Sequence, residues 1–574
     1  MSDTAAITPI WFGSPEVPVA GWLHSAAAPG RDMSVVVCGP PFGWEDVCAY
    51  RSLRSLAKML AAAGLPTLRF DFPGTGDSAD GDGDAGRWRA WVGAVGDAVA
   101  VVRAHGPERC ALVGMGLGGA VAMTAIDEDL AVDGIVLWDA VFAGRTWLRQ
   151  ARAFQRLAAR DRLSAPIFAS GEGEELAGFV LGSLLRADLE ALDLRTPPSP
   201  VPGSWADMFV VASVARGDRS AGAAALAGRG ATVNQAVLGG IEPMLDEPHR
   251  ASPAVAGFEA IRDLLVGRSA PWSRSGLEPV PMMAAVPSAG VCERVLTVRE
   301  PGKPDLCAVE SRPASGAASD LWFIFLNAAG VRHIGPNRMW VRFARRLAVQ
   351  GIGSLRVDVR GVGDGGGDEV LGDTVAAYYD SILWDDVDRL ADHARSLGAR
   401  SLVLVGLCSG ATAAFQAACR RDDVRSVVML NPLLLDWDQR AASVSEADSR
   451  WRSAIRPGHW LRGSRWRKLA SGQVPLRSLA RALGARVMPR RGAAAGPAEH
   501  LRALARAGVD VHLVVAKDDA SADFITRLAG GDPALLAVPG LDVRVLTGPD
   551  HTFRPMTSQE ALYRIIEEVA DRAV

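Results

Sequence analysis

The sequence predicts an α/β protein made of two tandem domains, each with a doubly wound and mostly parallel sheet. Three observations lead to this prediction. The chain has 574 residues, which is too long for one ordinary hydrophobic core. Short apolar runs alternate with amphipathic helical patterns, as they do in βαβ units. The same succession of runs occurs twice, about 290 residues apart, which indicates domain duplication rather than a solenoid of short repeats.

The first copy of the repeat begins with MSVVVCG, an apolar run typical of a buried strand. An amphipathic helix is predicted over RSLRSLAKMLAAAG, a second strand over LPTLRFDF and a Gly-rich loop over PGTGDS. A longer helix and the strand RCALVGM follow. The copy then reaches a tight glycine-flanked turn at residues 114–118, which read GMGLG.

The second copy repeats these parts in the same order. The strand LWFIFLN precedes the helix NRMWVRFARRLAVQG, the strand SLRVDV, a Gly-rich loop, a helix and the strand SLVLVGL. The copy ends in the turn at residues 406–410, which read GLCSG. Each copy also carries Arg-x-Asp before its Gly-rich loop, at Arg69-Asp71 and Arg356-Asp358. We expect these pairs to anchor the loops rather than to take part in chemistry.

A segment rich in Pro, Ser and Gly separates the copies and interrupts the periodicity. The predicted division is a first domain over 1–270, a linker over 271–290 and a second domain over 291–574. AVAGFEAIRDLLV is the predicted closing helix of domain one. CERVLTVREPGKPDLCAVESRP is predicted to open domain two as a β-hairpin.

Composition excludes several classes of protein. The formal net charge is −3 and charged residues make up 22%, so no overall attraction to nucleic acid or to a membrane is expected. The chain shows no secretory signal and no apolar run of about 18 residues. Its seven cysteines are scattered and form no C-x-x-C, so neither a disulfide framework, a metal site nor another cofactor is predicted. We expect a cytoplasmic protein.

The turn at 406–410 carries the main functional signal. It reads Gly-x-Cys-x-Gly between a predicted buried strand and a predicted helix, and its glycines suit a strained, closely packed turn. Both copies, over nearly the whole chain, resemble the α/β-hydrolase superfamily, whose nucleophile lies on such an elbow. The resemblance implies that Cys408 is the nucleophile, at the position where serine is usual. A helix N-terminus lowers the pKa of a thiol.

The resemblance also implies a histidine and an acid after the nucleophile. His551 lies in Asp550-His551-Thr552-Phe553, between a strand and the last helix, and is the expected base. The acid should follow the strand VDVHLVVA, where family spacing favours Asp519 and leaves Asp518 as second choice. Such an acid would orient the imidazole and stabilise its protonated form.

Two backbone N–H groups are expected to form an oxyanion hole. One belongs to Ser409, and the other to Ala329, with Ala328 as second choice. In the same loop, His333, Asn337 and Arg338 are candidates for lining the substrate pocket, against the alternative of ordinary loop structure.

The first copy departs from the pattern because Gly116 occupies the nucleophile position. Its last part lacks an Asp-His-x-Phe turn, and His249 lies near the expected place without that context. Domain one is therefore predicted to be a degenerate copy that has kept its fold.

An insertion in domain two, at about 436–500, is the predicted helical cap. It is basic and carries several tryptophans, of which Trp437 and Trp460 are further pocket candidates. A basic rim on an apolar tunnel would suit an acyl chain on an acidic carrier protein or coenzyme A. A solvated helical face with packed aromatics is the alternative.

The features together favour a cysteine acyl-enzyme catalyst that passes the acyl group from a thioester or ester to an acceptor. A thioesterase or esterase, or a hydrolase resembling dienelactone hydrolase, remains an alternative. A non-catalytic scaffold or binding protein is another. The oligomeric state is not predicted.

Overall fold

The structure is a computed structural model of the chain. It describes residues 7–27, 30–80, 85–158, 173–205, 208–213, 219–236, 238–239, 241–272, 286–288, 290–316, 318–369, 375–435, 497–530 and 538–573. The predicted cap, with Trp437 and Trp460, lies outside these residues except for its last four positions. Within the described residues, no helix is long and apolar enough to cross a membrane.

Domain one contains twelve described strands and seven described α-helices. The strands are β1 Ile7–Phe12, β2 Val19–His24, β3 Gly30–Arg31, β4 Met33–Cys38, β5 Thr67–Phe70, β6 Arg109–Met115, β7 Gly134–Trp138, β8 Gly173–Leu176, β9 Phe179–Gly182, β10 Phe209–Ser213, β11 Thr232–Ala236 and β12 Pro271–Trp272. The helices are α1 Gly43–Ala62, α2 Arg87–His105, α3 Leu117–Asp127, α4 Gly144–Ala158, α5 Ser183–Ala191, α6 Arg219–Gly228 and α7 Val255–Gly267.

Domain two contains nine described strands and six described α-helices. The strands are β13 Val286–Ser288, β14 Val291–Val298, β15 Leu306–Pro313, β16 Leu321–Phe325, β17 Gly353–Asp358, β18 Ser401–Leu407, β19 Val424–Leu430, β20 Asp510–Ala516 and β21 Leu541–Leu546. The helices are α8 Met339–Val349, α9 Ile382–Ser396, α10 Ser409–Ala418, α11 Pro497–Arg506, α12 Ala520–Gly530 and α13 Met556–Ala573.

The two main sheets have the same plan. The first has the order β1-β2-β5-β4-β6-β7-β10-β11, and the second has β13-β14-β15-β17-β16-β18-β19-β20-β21. In each, six neighbouring strands are parallel, from β5 to β11 and from β17 to β21. Antiparallel strands extend one edge. The predicted α/β class with two mostly parallel sheets is confirmed.

The parallel strands are apolar on both faces because helices cover both sides of each sheet. In domain two, one core packs β18 against α9 and α10, and the other packs the opposite face of the sheet against α8 and α13. The carboxyl ends of the parallel strands therefore meet at one edge, where the connecting loops converge.

The boundary between the domains is described only at its ends. β12 pairs with β3 of domain one, and β13 pairs with β14 of domain two. Residues 273–285 lie outside the described residues, so the limits 271 and 290 stay predictions. The helix α7 and the β14–β15 hairpin lie where the sequence predicts them.

The aspartate of each Arg-x-Asp pair anchors its Gly-rich loop, as predicted. Asp71 Oδ2 accepts a hydrogen bond from the N–H of Asp77 at 2.9 Å, and Asp358 Oδ2 accepts one from Asp364 at 2.9 Å. A Cβ on Gly76 would lie 1.9 Å from the Asp71 carboxylate. Glycine is needed there because the carboxylate occupies the space of a side chain.

The same loops bring the domains together. Arg69 donates to Asp364 at 2.5 Å, and Arg356 donates to Asp77 at 2.5 Å. Arg69 and Arg356 have the same position in the two copies, and so do Asp77 and Asp364. All four side chains are buried. The domains therefore contact each other through the same patch on each copy, as the subunits of an isologous dimer do.

Candidate active site

The elbow of domain two places Cys408 between β18 and α10. Its backbone has φ +57° and ψ −114°, a region that non-glycine residues rarely adopt and that is common at functional sites. A Cβ on Gly406 would lie 2.1 Å from the carbonyl oxygen of Gly410, and one on Gly410 would lie 2.4 Å from that of Asn327. Both flanking glycines are therefore required by close packing. The Cys408 side chain stands at the first turn of α10, with the residue 6% exposed.

His551 lies in the loop between β21 and α13, within reach of both predicted partners. Its Nδ1 is 3.0 Å from Asp519 Oδ2, and its ring also interacts with the sulfur of Cys408. Burial lowers the pKa of His551, but the charges of Asp519 and Cys408 and the hydrogen bonds to them outweigh burial, so that this pKa is raised well above 6.5. The arrangement stabilises a protonated imidazole beside the sulfur.

Asp519, not Asp518, is the acid that faces His551. Burial raises the pKa of Asp519, but His551 and the hydrogen bonds from Ser521 lower it to about 2. Asp518 is exposed. The Asp550 carboxylate instead accepts a hydrogen bond from the N–H of Arg554 at 2.8 Å, within the same loop.

Asn431, at the end of β19, joins the loops that carry the acid and the histidine. Its Oδ1 accepts hydrogen bonds from the Ala516 N–H at 2.8 Å and from the Ser521 hydroxyl at 2.9 Å, and its Nδ2 donates to the His551 carbonyl at 2.8 Å. It has φ +43°, which asparagine tolerates better than most residues. Sequence analysis did not identify Asn431, although an asparagine directly after a buried strand was an available signal.

Tyr379 is a second group that sequence analysis missed. Its hydroxyl lies 3.3 Å from Cys408 Sγ, and the residue is 1% exposed. Burial and the neighbouring Cys408 raise the pKa of Tyr379 well above 10, so its hydroxyl stays protonated and can donate to a thiolate. The sequence around Tyr379 has no motif that reveals this contact, because the contact joins the short 3-10 helix Val375–Tyr379 to the turn after β18.

The expected oxyanion loop contacts the elbow directly. The N–H of Ala329 donates to the hydroxyl of Ser409 at 3.0 Å. Ser409 begins α10, so its own N–H has no acceptor within the helix. The neighbouring Ala328 forms a β-bridge with Val331. Binding of an oxyanion by Ala329 would therefore require its bond to Ser409 to be shared or replaced.

His333 and Arg338, which the sequence predicts to line the pocket, have their side chains buried in the domain interface. His333 lies 2.6 Å from Asp358 through Nδ1 and 2.6 Å from Asp77 through Nε2. Arg338 donates to backbone oxygens of the domain one loop, at 2.7 and 2.8 Å. The sequence of one loop does not distinguish a residue that lines a pocket from one that lies in a domain interface.

Asn337 has a different place from its two neighbours in the loop. Its Nδ2 donates to the Thr552 carbonyl at 2.7 Å, which braces the histidine loop. Asn337 is buried, and its expected place on the pocket wall stays a prediction.

One group of buried side chains has the composition of a metal site. Single ligand atoms of Cys307, His333 and Asp358 lie within 4.8 Å of one another. However, both His333 nitrogens already face carboxylates. Burial lowers the pKa of His333, but Asp77 and Asp358 raise it to about 10. A protonated imidazole has no lone pair for a metal, so these residues fit an ion network better.

Domain one keeps the elbow without the nucleophile. Gly116 has φ +56° and ψ −125°, close to the angles of Cys408. A Cβ at Gly116 would meet no heavy atom within 4 Å. The space for a side chain is therefore still present, and glycine leaves it without a reactive group.

Two family models match the chain in separate regions. Residues 323–565 match the "Alpha/beta hydrolase family" model, and residues 49–168 match the model "Serine aminopeptidase, S33". The second match spans Gly116, the residue at the predicted nucleophile position of domain one. No curated protein sequence matches the chain.

Solved structures with a similar fold each cover about half of the chain. A carboxylesterase of the ammonia-oxidizing thaumarchaeon Nitrososphaera gargenis is 16% identical, with 48% of this chain and 98% of that chain covered and a TM-score of 0.31. An esterase of Pyrococcus furiosus is 13% identical, with 49% and 92% covered and a TM-score of 0.33. The thioesterase domain of the curacin biosynthetic pathway is 17% identical, with 48% and 98% covered and a TM-score of 0.29. Identities this low carry no information about substrate.

Proposed function

Since the chain belongs to the α/β-hydrolase superfamily, we propose that its second domain is a cysteine-dependent acyl-transfer enzyme. The observation that carries the proposal is the chain of contacts from Cys408 through His551 to Asp519, with His551 Nδ1 3.0 Å from Asp519 Oδ2. A nucleophile, a base and an orienting acid in this order are the parts that covalent acyl chemistry requires.

The proposed reaction has two halves. The Cys408 thiolate attacks the carbonyl carbon of a thioester or ester, and the new carbon–sulfur bond gives a tetrahedral oxyanion. Collapse breaks the bond to the leaving thiol or alcohol, which takes its proton from the His551 imidazolium. His551 then removes a proton from the acceptor, the acceptor attacks the acyl-Cys408 carbonyl, and the thiolate is released.

A cysteine favours transfer over hydrolysis in this proposal. The acyl-enzyme is itself a thioester and remains a good donor toward amines, alcohols and thiols, whereas serine would give a less activated oxyester. The hydroxyl of Tyr379, 3.3 Å from Cys408 Sγ, supports the thiolate leaving group in the second half. The donor is proposed to be an acyl thioester, and its delivery by a carrier protein or coenzyme A rests on the basic residues of the predicted cap.

Intact-mass measurement after incubation with a panel of acyl thioesters tests the proposal. The unmodified protein should gain one acyl group, Cys408→Ala should gain none, and Cys408→Ser should remain a poor but detectable enzyme. His551→Ala should lower turnover by about 10³-fold or more. Cys419→Ala, at an exposed cysteine, is the matched control and should acylate normally. Full turnover by Cys408→Ala would contradict the assignment of the nucleophile.

The fate of the acyl group separates transfer from its alternatives. For a transferase, the acyl-Cys408 adduct should persist for minutes in buffer and should be discharged rapidly by hydroxylamine, used as a probe nucleophile. Rapid release of free acid, with no competition from hydroxylamine, would indicate a thioesterase, an esterase or a hydrolase like dienelactone hydrolase. Absence of any adduct would favour a non-catalytic binding protein.

A further inference from the structure

A segment of domain one reaches the oxyanion loop of domain two. The carbonyl oxygen of Pro248 lies 2.9 Å from the position that a Cβ on Gly330 would take. The hydroxyl of Tyr378 lies 2.9 Å from the same position. Gly330 directly follows Ala329, and Tyr378 directly precedes Tyr379. The segment around Pro248 therefore packs against the loop whose Ala329 N–H donates to Ser409, the residue after Cys408.

The same segment also contacts the histidine loop. The Arg554 guanidinium, three residues after His551, lies 3.9 Å from the Glu247 carboxylate and 4.6 Å from the centre of the Trp44 ring. Glu247 and Trp44 both belong to domain one. The two loops that border Cys408 thus have a common neighbour in the domain that lacks a nucleophile.

The hairpin β8–β9 of domain one holds the histidine loop from another side. Gln559 in α13 donates to the Gly178 carbonyl at 2.9 Å, and the N–H of Met556 donates to Glu175 at 3.3 Å. A Cβ on Gly178 would lie 2.7 Å from the Arg554 carbonyl oxygen. Domain one therefore fixes the position of its own 247–249 segment relative to His551.

His249 is the residue of this segment with a functional side chain. The side chain is 12% exposed, and its Nδ1 lies 3.8 Å from Glu247. Burial lowers the pKa of His249 to about 4, and the positive charges of Arg250 and His551 act in the same direction. His249 is therefore neutral near pH 7, and it directly follows Pro248, whose carbonyl packs against Gly330. A neutral imidazole offers an uncharged wall with one donor and one acceptor.

We propose that His249 of domain one is a specificity-determining residue of the Cys408 site, where it limits the size of the uncharged group that binds between the oxyanion loop and His551. This inference rests on the proposed function for the nature of the substrate, an acyl thioester. Under this proposal, domain one has a role although Gly116 replaces its nucleophile, because it supplies one residue of the Cys408 site.

Alkylation of Cys408 in the full chain tests the inference without requiring turnover. Rates with iodoacetamide and with the bulkier iodoacetanilide are measured by peptide mass in a Cys419→Ala background. The alkylation rate with iodoacetanilide, divided by the rate with iodoacetamide, should rise about tenfold in His249→Ala and fall about tenfold in His249→Trp, as expected for a changed pocket wall. His249→Gln, of similar size, should stay near the unmodified ratio. His105→Ala, at the end of α2, is the matched control and should leave the ratio unchanged.

The outcomes distinguish this inference from the proposed function. A ratio that does not change in His249→Ala and His249→Trp, with both variants folded like the unmodified protein by circular dichroism, overturns the role of His249. A change that is equally large in His105→Ala also overturns it. If the ratio changes as expected while no acyl thioester gives an adduct, the proposed function fails and His249 still borders Cys408. Where adducts form, His249→Ala should accept longer acyl chains than the unmodified protein.

Discussion

At the scale of single residues, Cys408 and Gly116 show how two elbows of one fold differ in chemistry. Their φ angles are +57° and +56°. The backbone therefore has the same conformation at position 408 of one turn and position 116 of the other. Cysteine accepts the strain of this conformation, and glycine adopts it at no steric cost. The conformation is therefore a property of the fold, whereas the reaction depends on the one side chain and its neighbours.

The contact between Tyr379 and Cys408 leads to a prediction at this scale. Tyr379→Phe removes the hydroxyl 3.3 Å from Cys408 Sγ and keeps the ring. Loss of a hydrogen bond to a charged group costs about 1.5–3 kcal/mol, so alkylation of Cys408 by iodoacetamide at pH 7 should slow by about tenfold or more. Tyr563→Phe, whose hydroxyl accepts a hydrogen bond from Gln350, serves as control. An unchanged alkylation rate in Tyr379→Phe would show that the hydroxyl does not support the thiolate.

At the scale of elements, the carboxyl ends of β18, β19 and β20 bring the elbow, Asn431 and the acid loop to one edge of the sheet. Asn431 at the end of β19 connects the acid loop after β20 with the histidine loop after β21. The hydrogen bond from Ala516 is buried and the one to the His551 carbonyl is partly buried. Hydrogen bonds in a low-dielectric interior are strengthened and hold the two loops in a fixed relative position. The distance between Asp519 and His551 thus depends on a residue that touches neither the acyl group nor the sulfur.

Asn431→Ala should therefore weaken both stability and the His551–Asp519 contact. It leaves the Ala516 N–H and the His551 carbonyl without this partner, at a cost of about 1–3 kcal/mol for each buried group. The expected result is a lower denaturation midpoint together with a turnover reduced by about tenfold or more. Asn431→Asp keeps the acceptor toward Ala516 and should lose less stability. Urea unfolding and steady-state kinetics measure the two effects, and wild-type turnover in Asn431→Ala would contradict the bracing role.

At the scale of the whole molecule, the interface between the domains is an ion network that contains His333. The imidazole lies between Asp77 of domain one and Asp358 of domain two, at 2.6 Å from each. Buried charges are stable only when they are paired. The charged side chains that each domain places in this interface therefore need their partners from the other domain. An apolar cluster formed by both domains, with Val47 and Val331 among its members, adjoins this network.

The network leads to a pH dependence with a definite sign. The pKa of His333 is raised from 6.5 to about 10 in the folded protein. Its stabilising contribution is therefore complete below about pH 6.5 and is lost as the pH rises through 10. The pKa of Asp77 is lowered well below 3.8, since the His333 and Arg356 charges outweigh its burial, and its contribution is lost on acidification below 3.8.

His333→Gln tests this dependence. It should destabilise the protein by about 3–5 kcal/mol near pH 6 because it removes the charged partner that Asp77 and Asp358 share in the buried network. It should also flatten the decline of the free energy of unfolding between pH 6.5 and 10. Urea unfolding at several pH values measures both effects, with His105→Gln as control. A decline that is equally steep in His333→Gln and in the unmodified protein would count against the assignment.

Domain two is also predicted to depend on domain one for folding. Deletion of residues 1–270 would expose Arg356 and the cluster around Val331, and would leave His333 with a single carboxylate. We expect aggregated protein, measured by size-exclusion chromatography. A soluble and fully active second domain would contradict both this prediction and the contribution of His249 to the site.

The sequence by itself determined the α/β class, the duplication, the elbow residues and the loops that carry His551 and Asp519. These features depend on local periodicity and on short motifs, which one segment of chain contains in full. Only the tertiary structure decided that His333 and Arg338 belong to an interface, that Tyr379 and Asn431 belong to the site, and that Glu247 and Pro248 of domain one contact the loops of Arg554 and Gly330. Each of these contacts joins side chains far apart in sequence, and which of them meet depends on how strands pair and domains pack, which no single segment contains.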